Sequence, residues 1–300
     1  MPELPDIVVY IEALERRITG EVLEGVRVTS PSLLRTFDPP LSAVEGTRVE
    51  GLERLGKRIV LQMENDLFIV IHLMIAGRLR WETAGKAIPK KVGLAAFDFP
   101  DGSLILTEQG SHKRASLHVV SGREQLEALG RGGIEPLEAT RDEFAAAVQT
   151  ENRTLKRALT DPRFLSGIGN AYSDEILHRA QLSPVRRSGQ LATDELTQLY
   201  EATQEVLTSW TDLLRDEVGD GFPKKVTAFR PEMAVHGRYG EPCPRCGSPV
   251  QRIVYAKNET NYCASCQTDG KLLADRSLSR LLKGDWPRTL EELEELQEPS

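Results

Sequence analysis

Residues 58–73 read RIVLQMENDLFIVIHL, two apolar runs that are separated by the polar triplet Glu64-Asn65-Asp66. Each run has the length and the β-branched composition of a strand, and the triplet is typical of a tight turn. Five similar runs occur between residues 22 and 120, at 22–29, 48–56, 93–99, 103–108 and 116–120. Seven short strands without a helix between them predict an antiparallel β-sandwich or barrel.

Helical patterns lie on both sides of the strands. Apolar residues recur at helical spacing between Pro5 and Gly20, and Gly20 is a suitable stop. Further helical patterns occupy residues 141–149, 154–159, 171–180 and 194–218. The prediction is an α+β multidomain protein with five parts: an N-terminal helix and antiparallel β-sandwich (1–129), a glycine-rich linker (130–140), a helical domain (141–235), a cysteine module (236–283) and an acidic tail (284–300).

The charge of the chain is unevenly distributed. The formal net charge is −7, but the last twelve residues hold five glutamates, and without them it is −2. Residues 221–283 hold eleven lysines and arginines against five acids. Because DNA affinity depends on the cations near the phosphates, the overall acidity does not exclude a DNA partner. No run of apolar residues is long enough to cross a membrane, and no leader precedes the first helix, so a cytoplasmic protein is predicted.

All four cysteines form one module with the spacing CxxC, sixteen residues, CxxC: Cys243, Cys246, Cys263 and Cys266. Two such turns at the base of a hairpin can supply a tetrahedral cage of four thiolates, which suits zinc. Because all four ligands come from the protein, the predicted single zinc ion is structural. The module is either a staple alone or a ribbon that also contacts phosphate.

The amino terminus begins Met1-Pro2-Glu3, which exposes a secondary amine if Met1 is removed. Such an amine can attack a sugar C1′ carbon and form an iminium ion. An α-amine titrates at about 8 and a lysine at about 10.4, so far more of the α-amine is neutral near pH 7. Glu3 could then move protons between the amine, the sugar and a leaving group, although its charge also suits an ordinary helix start.

Residues 166–170 read SGIGN, a glycine turn between two helical patterns. Asn170 is a suitable N-cap for the second helix, and the glycines allow a ligand to approach the backbone closely. Free N–H groups at the start of a helix suit a phosphate. An ordinary helical hairpin is the alternative interpretation of this turn.

These motifs together resemble the formamidopyrimidine-DNA glycosylase/endonuclease VIII family: MPELPDI at the start, GIGNAYSDEILHRAQLSP near residue 170, and CPRC…CASCQ near the end. The resemblance extends from Met1 to about Lys283. It implies a β-sandwich domain, a helix-two-turn-helix domain and a zinc ribbon. It also implies a monomeric, cytoplasmic and nucleoid-associated enzyme of base excision repair that takes damaged double-stranded DNA and flips the lesion out of the helix.

The resemblance also implies roles for individual residues. Pro2 is the nucleophile that displaces the damaged base and forms a Schiff base, and Glu3 is the acid and base. Lys57 assists the β- and then δ-elimination that cleaves the strand. His72 and Asn170 match residues that bind the DNA backbone.

Four segments depart from the family pattern, and one of them, residues 219–233, does not resemble the usual lesion-recognition loop. The family usually has His-Leu-Gly-Met-Ser-Gly where this chain has HLMIAG at 72–77, so either Met74 or Ile75 fills the gap left by the flipped base. No Arg-x-Phe wedge occurs at 108–114. In the ribbon, Asn258 stands in the register of a phosphate-binding arginine, and Lys257 could replace that charge. The predicted consequence is a changed choice of lesion with the chemistry intact.

Two other classes of protein are open on the sequence alone. One is a non-catalytic protein of the same fold that binds damaged DNA, which would not need the combination of Pro2, Glu3 and Lys57. The other is an unrelated zinc-ribbon protein of RNA metabolism, which explains neither the amino terminus nor the turn at 166–170.

Overall fold

A computed structural model describes residues 1–110, 112–224, 226–255, 258–273 and 287–292. They form two compact units: Met1–Gly132 with Thr208–Thr227, and Gly133–Leu207 with the described residues from Ala228 onward. None of the described helices combines the length and the apolar character that crossing a membrane requires.

The first unit is a helix packed on a β-sandwich. Helix α1 spans Leu4–Ile18, and eight strands follow: β1 (Gly25–Val28), β2 (Val49–Leu55), β3 (Arg58–Met63), β4 (Leu67–His72), β5 (Gly77–Glu82), β6 (Gly93–Phe99), β7 (Gly102–Glu108) and β8 (Ser116–Ser121). They form two antiparallel four-stranded sheets, with the orders β1-β6-β7-β5 and β2-β3-β4-β8. One apolar cluster draws residues from α1 and from both sheets, among them Leu14, Ile69 and Leu104. The predicted sandwich is confirmed.

The sequence prediction missed two elements of this unit. Strand β5 holds Arg78, Leu79, Arg80 and Trp81, whose alternation was the available signal. The short helix α2 (Arg123–Ala128) packs on the outer face of the β2-β3-β4-β8 sheet.

The second unit is helical and ends in a hairpin. Its helices are α3 (Arg141–Gln149), α4 (Leu155–Thr160), α5 (Asn170–Arg179) and α6 (Thr193–Val218), the last of which continues into the residues assigned to the first unit. The four predicted helical patterns are therefore confirmed. Strands β9 (Val250–Tyr255) and β10 (Asn258–Cys263) pair antiparallel, and α7 (Ala264–Gln267) follows. The acidic tail and the segment after Leu273 lie largely outside the described residues.

Candidate active site and metal centre

The amino terminus lies against the sandwich. Met1 is 37% exposed, whereas Pro2 and Glu3 are buried. The Glu3 backbone N–H donates to the Asp6 carboxylate at 2.9 Å, which fixes the entry of the chain into α1. Burial therefore begins at the residue that the sequence singles out as a nucleophile.

The electrostatic surroundings of the amino terminus favour a neutral amine. The pKa of the Met1 amine is lowered from its usual value, chiefly because burial disfavours the charged form. Glu3 and Asp6 raise this pKa, whereas Arg78 and Lys57 lower it further. Lys57 lies in the two-residue turn between β2 and β3. The structure thus brings Glu3 and Lys57 within electrostatic reach of the amino terminus.

A tight turn at residues 73–77 presents one apolar side chain to solvent. The Gly77 N–H donates to the Leu73 carbonyl at 2.9 Å, and Met74 has a φ of +52°. A Cβ atom on Gly77 would lie 2.2 Å from the Leu73 carbonyl oxygen, so only glycine fits there. Ile75 at the tip is 55% exposed and Met74 is half-buried. Of the two residues that the sequence leaves open, Ile75 is the one at the tip.

His72 belongs to a basic group on the outer face of the β2-β3-β4-β8 sheet. It pairs directly with Arg58 across β3 and β4, and His118 lies on β8. Burial, and then Arg58 and Lys57, lower the pKa of His72 to about 4. Burial and Arg58 also lower the pKa of His118, whose Nδ1 atom is buried and has no hydrogen-bond partner among the described residues. Neutral imidazoles beside an arginine are suited to receive an anion.

The turn at 166–170 contacts the ribbon. Helix α5 begins at Asn170, but Gly169 is the N-cap, so the prediction of Asn170 as the cap was wrong. The Asn170 side chain is instead extended, and its Nδ2 donates to the Glu259 carbonyl of β10 at 2.8 Å. Asn258, the first residue of β10, is exposed, and Lys257 lies outside the described residues.

Two buried acids on α5 were missed by the sequence analysis. Glu175 is 5% exposed and accepts backbone N–H bonds from residues 234, 235 and 236 at 2.7, 2.9 and 2.9 Å. Asp174 accepts from Lys156 Nζ at 2.5 Å and contacts His236 Nδ1 at 2.8 Å. Lys156 also donates to the Asn170 carbonyl at 2.6 Å. This buried network fixes the start of α5 and the chain that leads into the ribbon.

The four cysteines converge on one point. Their sulfur atoms all lie within 4.8 Å of one another, with 3.4 Å between Cys246 and Cys263 and 4.0 Å between Cys243 and Cys266. Tetrahedral zinc with bonds of about 2.3 Å requires sulfur separations of about 3.8 Å, so the cage fits one zinc ion. His178 Nε2 lies 3.2 Å from the Cys243 sulfur, a contact that can orient this ligand.

Three family models match consecutive parts of the chain. They are the formamidopyrimidine-DNA glycosylase N-terminal domain at residues 1–120, the formamidopyrimidine-DNA glycosylase H2TH domain at 133–213, and the zinc finger found in FPG and IleRS at 240–268.

Relatives and solved structures agree with these models. A formamidopyrimidine-DNA glycosylase from Desulforamulus reducens is 32% identical over 278 residues, which cover 89% of this chain and 99% of that protein. An uncharacterized formamidopyrimidine-DNA glycosylase-like protein from Mycobacterium tuberculosis is 42% identical over 164 residues, 55% of this chain and all of that protein. The Lactococcus lactis Fpg structure with abasic-site DNA matches with a TM-score of 0.77 at 25% identity, over 89% of this chain and 99% of that one. A Fapy-dG complex from the same organism matches with a TM-score of 0.78 at 26% identity, over 89% and 100%.

Proposed function

Because the chain belongs to the formamidopyrimidine-DNA glycosylase family, we propose that it excises a damaged base from double-stranded DNA and cleaves the abasic site that results. The observation that carries this proposal is the amino terminus, where Pro2 and Glu3 are buried and the amine of Met1, the residue before Pro2, has a lowered pKa and lies within electrostatic reach of Glu3 and Lys57. A family of DNA glycosylases that also act as abasic-site lyases needs a nucleophilic amine and a proton carrier at one place.

The proposed reaction starts when removal of Met1 frees the Pro2 nitrogen. The neutral amine attacks C1′ of the flipped nucleotide, the bond between C1′ and the base breaks, and the base leaves with a proton supplied by Glu3. Glu3 then takes the N–H proton of the adduct and passes it to the ring oxygen, the bond between C1′ and this oxygen breaks, and the resulting iminium ion acidifies the C2′ hydrogens. Loss of a C2′ proton expels the 3′ phosphate, a second elimination expels the 5′ phosphate, and water then releases Pro2.

The surroundings of the amine support its role as a nucleophile. Burial lowers the pKa of the Met1 amine, and because Pro2 is itself buried, its nitrogen should likewise have a larger neutral fraction at a given pH than an exposed terminus once Met1 is removed. Lys57 adds a positive charge close to the amine, and it is suited to stabilise the phosphate that leaves during elimination.

Each unit supplies its own DNA-contacting residues in this proposal. His72 and Lys57 hold phosphates near the catalytic end, and Ile75, rather than Met74, fills the gap left by the flipped nucleotide because it stands exposed at the tip of its turn. In the second unit, Asn170 and Asn258 contact the DNA backbone. The hydrogen bond from Asn170 to the Glu259 carbonyl couples this contact to the position of the ribbon.

Zinc has a structural part in this proposal. Held by Cys243, Cys246, Cys263 and Cys266, the ion fixes the base of the β9–β10 hairpin and leaves no open coordination position for chemistry. We also infer that the enzyme acts as a monomer on chromosomal DNA, in the cytoplasm at the nucleoid.

The decisive experiment incubates the purified protein with an abasic-site duplex and sodium borohydride and maps the adduct by mass spectrometry. A reduced crosslink on Pro2 supports the proposal and shows that Met1 has been removed. The matched control is protein that retains Met1, in which the Pro2 nitrogen is an amide and no crosslink should form. A duplex that is bound but neither crosslinked nor cut by the processed protein would favour the non-catalytic DNA-binding alternative.

A further inference from the structure

One arginine next to the exposed turn donates hydrogen bonds to three backbone carbonyl oxygens of the first unit. Arg78 is the second residue of β5 and is half-buried. Its Nη1 donates to the carbonyl oxygens of Gly77 at 2.7 Å and Ile75 at 3.3 Å. Its Nε donates to the Val226 carbonyl at 2.7 Å. A single guanidinium therefore holds the tip of the 73–77 turn and a segment that is remote in sequence.

That segment, residues 219–224 and Val226, is fastened to the sandwich along its length. Arg16 and Arg17 of α1 donate to the carbonyls of Gly219 and Asp220 at 3.1 and 2.9 Å. Phe222 packs against Tyr10 with ring centroids 5.7 Å apart, and Val226 is 8% exposed within the apolar cluster of the sandwich. The segment therefore offers Arg78 a fixed acceptor.

Besides Arg78, the described residues hold the tip of the turn only weakly, through a hydrogen bond of 3.4 Å from the Gln109 N–H to the Ala76 carbonyl. Met74 lies in the left-handed region of φ and ψ, which is unfavourable for a residue with a side chain, and the neighbouring Ile75 is mostly in solvent. A guanidinium that binds carbonyls of the turn and of a fixed neighbouring segment can offset this cost and restrict the motion of the tip, because its planar donors have fixed directions.

We propose that Arg78 is a positioning residue that holds the 73–77 turn against Val226, so that Ile75 is presented to the DNA gap from a fixed base. The proposal rests on the proposed function, since it assumes that Ile75 enters the DNA. Arg78 does not contact the reacting atoms in this proposal, and any effect of its charge on the amine would slow cleavage equally in the presence and in the absence of the Ile75 side chain. Its contribution is a smaller loss of freedom when Ile75 is inserted.

A double-mutant cycle tests whether Arg78 acts through Ile75. The rate of strand cleavage is measured in single turnover on an abasic-site duplex, for the wild type and for Arg78→Met, Ile75→Ala and the double variant. Loss of hydrogen bonds from a charged group predicts that Arg78→Met is about tenfold slower. In the Ile75→Ala background the same substitution should slow cleavage by less than about threefold, because two residues that act together are not additive. Equal factors in both backgrounds would overturn the proposal.

Further variants separate positioning from folding. Arg80→Met is the matched control, because Arg80 is an exposed arginine two residues along the same strand, and it should change the rate less than about twofold. Arg78→Lys keeps the charge but lacks the fork, so it should recover only part of the loss. If Arg78→Met fails to fold, Arg78→Lys replaces it in the cycle with the same criterion.

A fluorescent readout distinguishes this proposal from the proposed function. 2-Aminopurine placed opposite the abasic site reports whether a side chain enters the gap, whether or not the strand is cut. The fluorescence change on binding should fall in Arg78→Met and persist in Arg80→Met. If the wild type forms no crosslink and no cut, the cycle is scored on this signal and on duplex affinity. A signal that Arg78→Met leaves unchanged would refute the positioning role even in an active enzyme.

Discussion

Glu175→Gln tests the buried network that connects α5 to the chain before the ribbon. In the wild type, Oε1 accepts from the N–H groups of Val235 and His236, and Oε2 accepts from that of Ala234. A glutamine can retain the first two bonds through its oxygen, but its NH₂ group then faces the Ala234 N–H, donor to donor. The substitution removes one charge-assisted bond and leaves a polar group unpaired, a cost of roughly 3 kcal/mol.

The assay is urea unfolding, followed by circular dichroism and by a dye that binds released zinc. Val235 belongs to the small apolar cluster that includes Cys243 and Cys263, so loosening residues 234–236 should release zinc at a lower urea concentration. Glu205→Gln is the control, because Glu205 is half exposed and its pair with Arg179 should contribute at most about 1 kcal/mol. Equal unfolding midpoints for the two variants would refute the reasoning, since burial would then have no effect on the strength of these bonds.

Four further predictions address the active site, the phosphate grip and the metal. Glu3→Gln should slow base release and cleavage at least about a hundredfold while duplex affinity changes little, because a general acid and base contributes about 10²–10⁴-fold; an equal loss in rate and affinity would contradict it. Since the pKa of His72 is lowered to about 4, its stabilising contribution is present above about pH 6.5 and is lost as the pH falls toward 4. His72→Gln should therefore flatten the dependence of the free energy of unfolding on pH in that window. Denaturant titrations at several pH values measure this dependence, with the exposed His112→Gln as control. Cys246→Ser should reduce bound zinc, measured by atomic absorption, and weaken DNA binding, whereas a chelator should spare turnover until zinc has left; full zinc content would contradict the four-thiolate site. A panel of lesion duplexes should show a preference different from that of an 8-oxoguanine enzyme, and the same lesion and opposite-base preference would contradict the hypothesis of changed lesion choice.

Local patterns in the sequence were sufficient to predict an element or a site where the spacing of the residues is compatible with only one structure. The spacing of the four cysteines predicted their cage, and the apolar spacing of α1 predicted its helix and its end at Gly20, which has a φ of +83°. The strands were found because runs of β-branched residues have few other structures available. Strand β5 was missed because its alternating arginines resemble a solvated segment until the sandwich supplies a partner for Leu79.

The rest of the site depends on contacts between segments that are distant in sequence. Nothing near Glu175 shows that its partners are three backbone N–H groups about sixty residues away. The sequence also favoured Asn170 as an N-cap on its intrinsic preference, but the contact of its side chain with the Glu259 carbonyl prevailed, and Gly169 took the cap position. Propensity decides such positions only where no tertiary partner competes.

In the turn at 73–77, different residues determine the backbone conformation and the exposed side chain. Gly77 has no space for a Cβ atom, and Met74 adopts a positive φ although a glycine would do so at a lower cost. The shape of the turn is therefore maintained while its exposed residue is Ile75. Because isoleucine is branched at Cβ, it has fewer rotamers than methionine and fills a gap of more defined shape. A stiff side chain on a turn that is braced by Arg78 should discriminate by fit among the bases opposite the gap, and this effect would act on the opposite-base preference and leave the proposed amine chemistry at Pro2 unaltered.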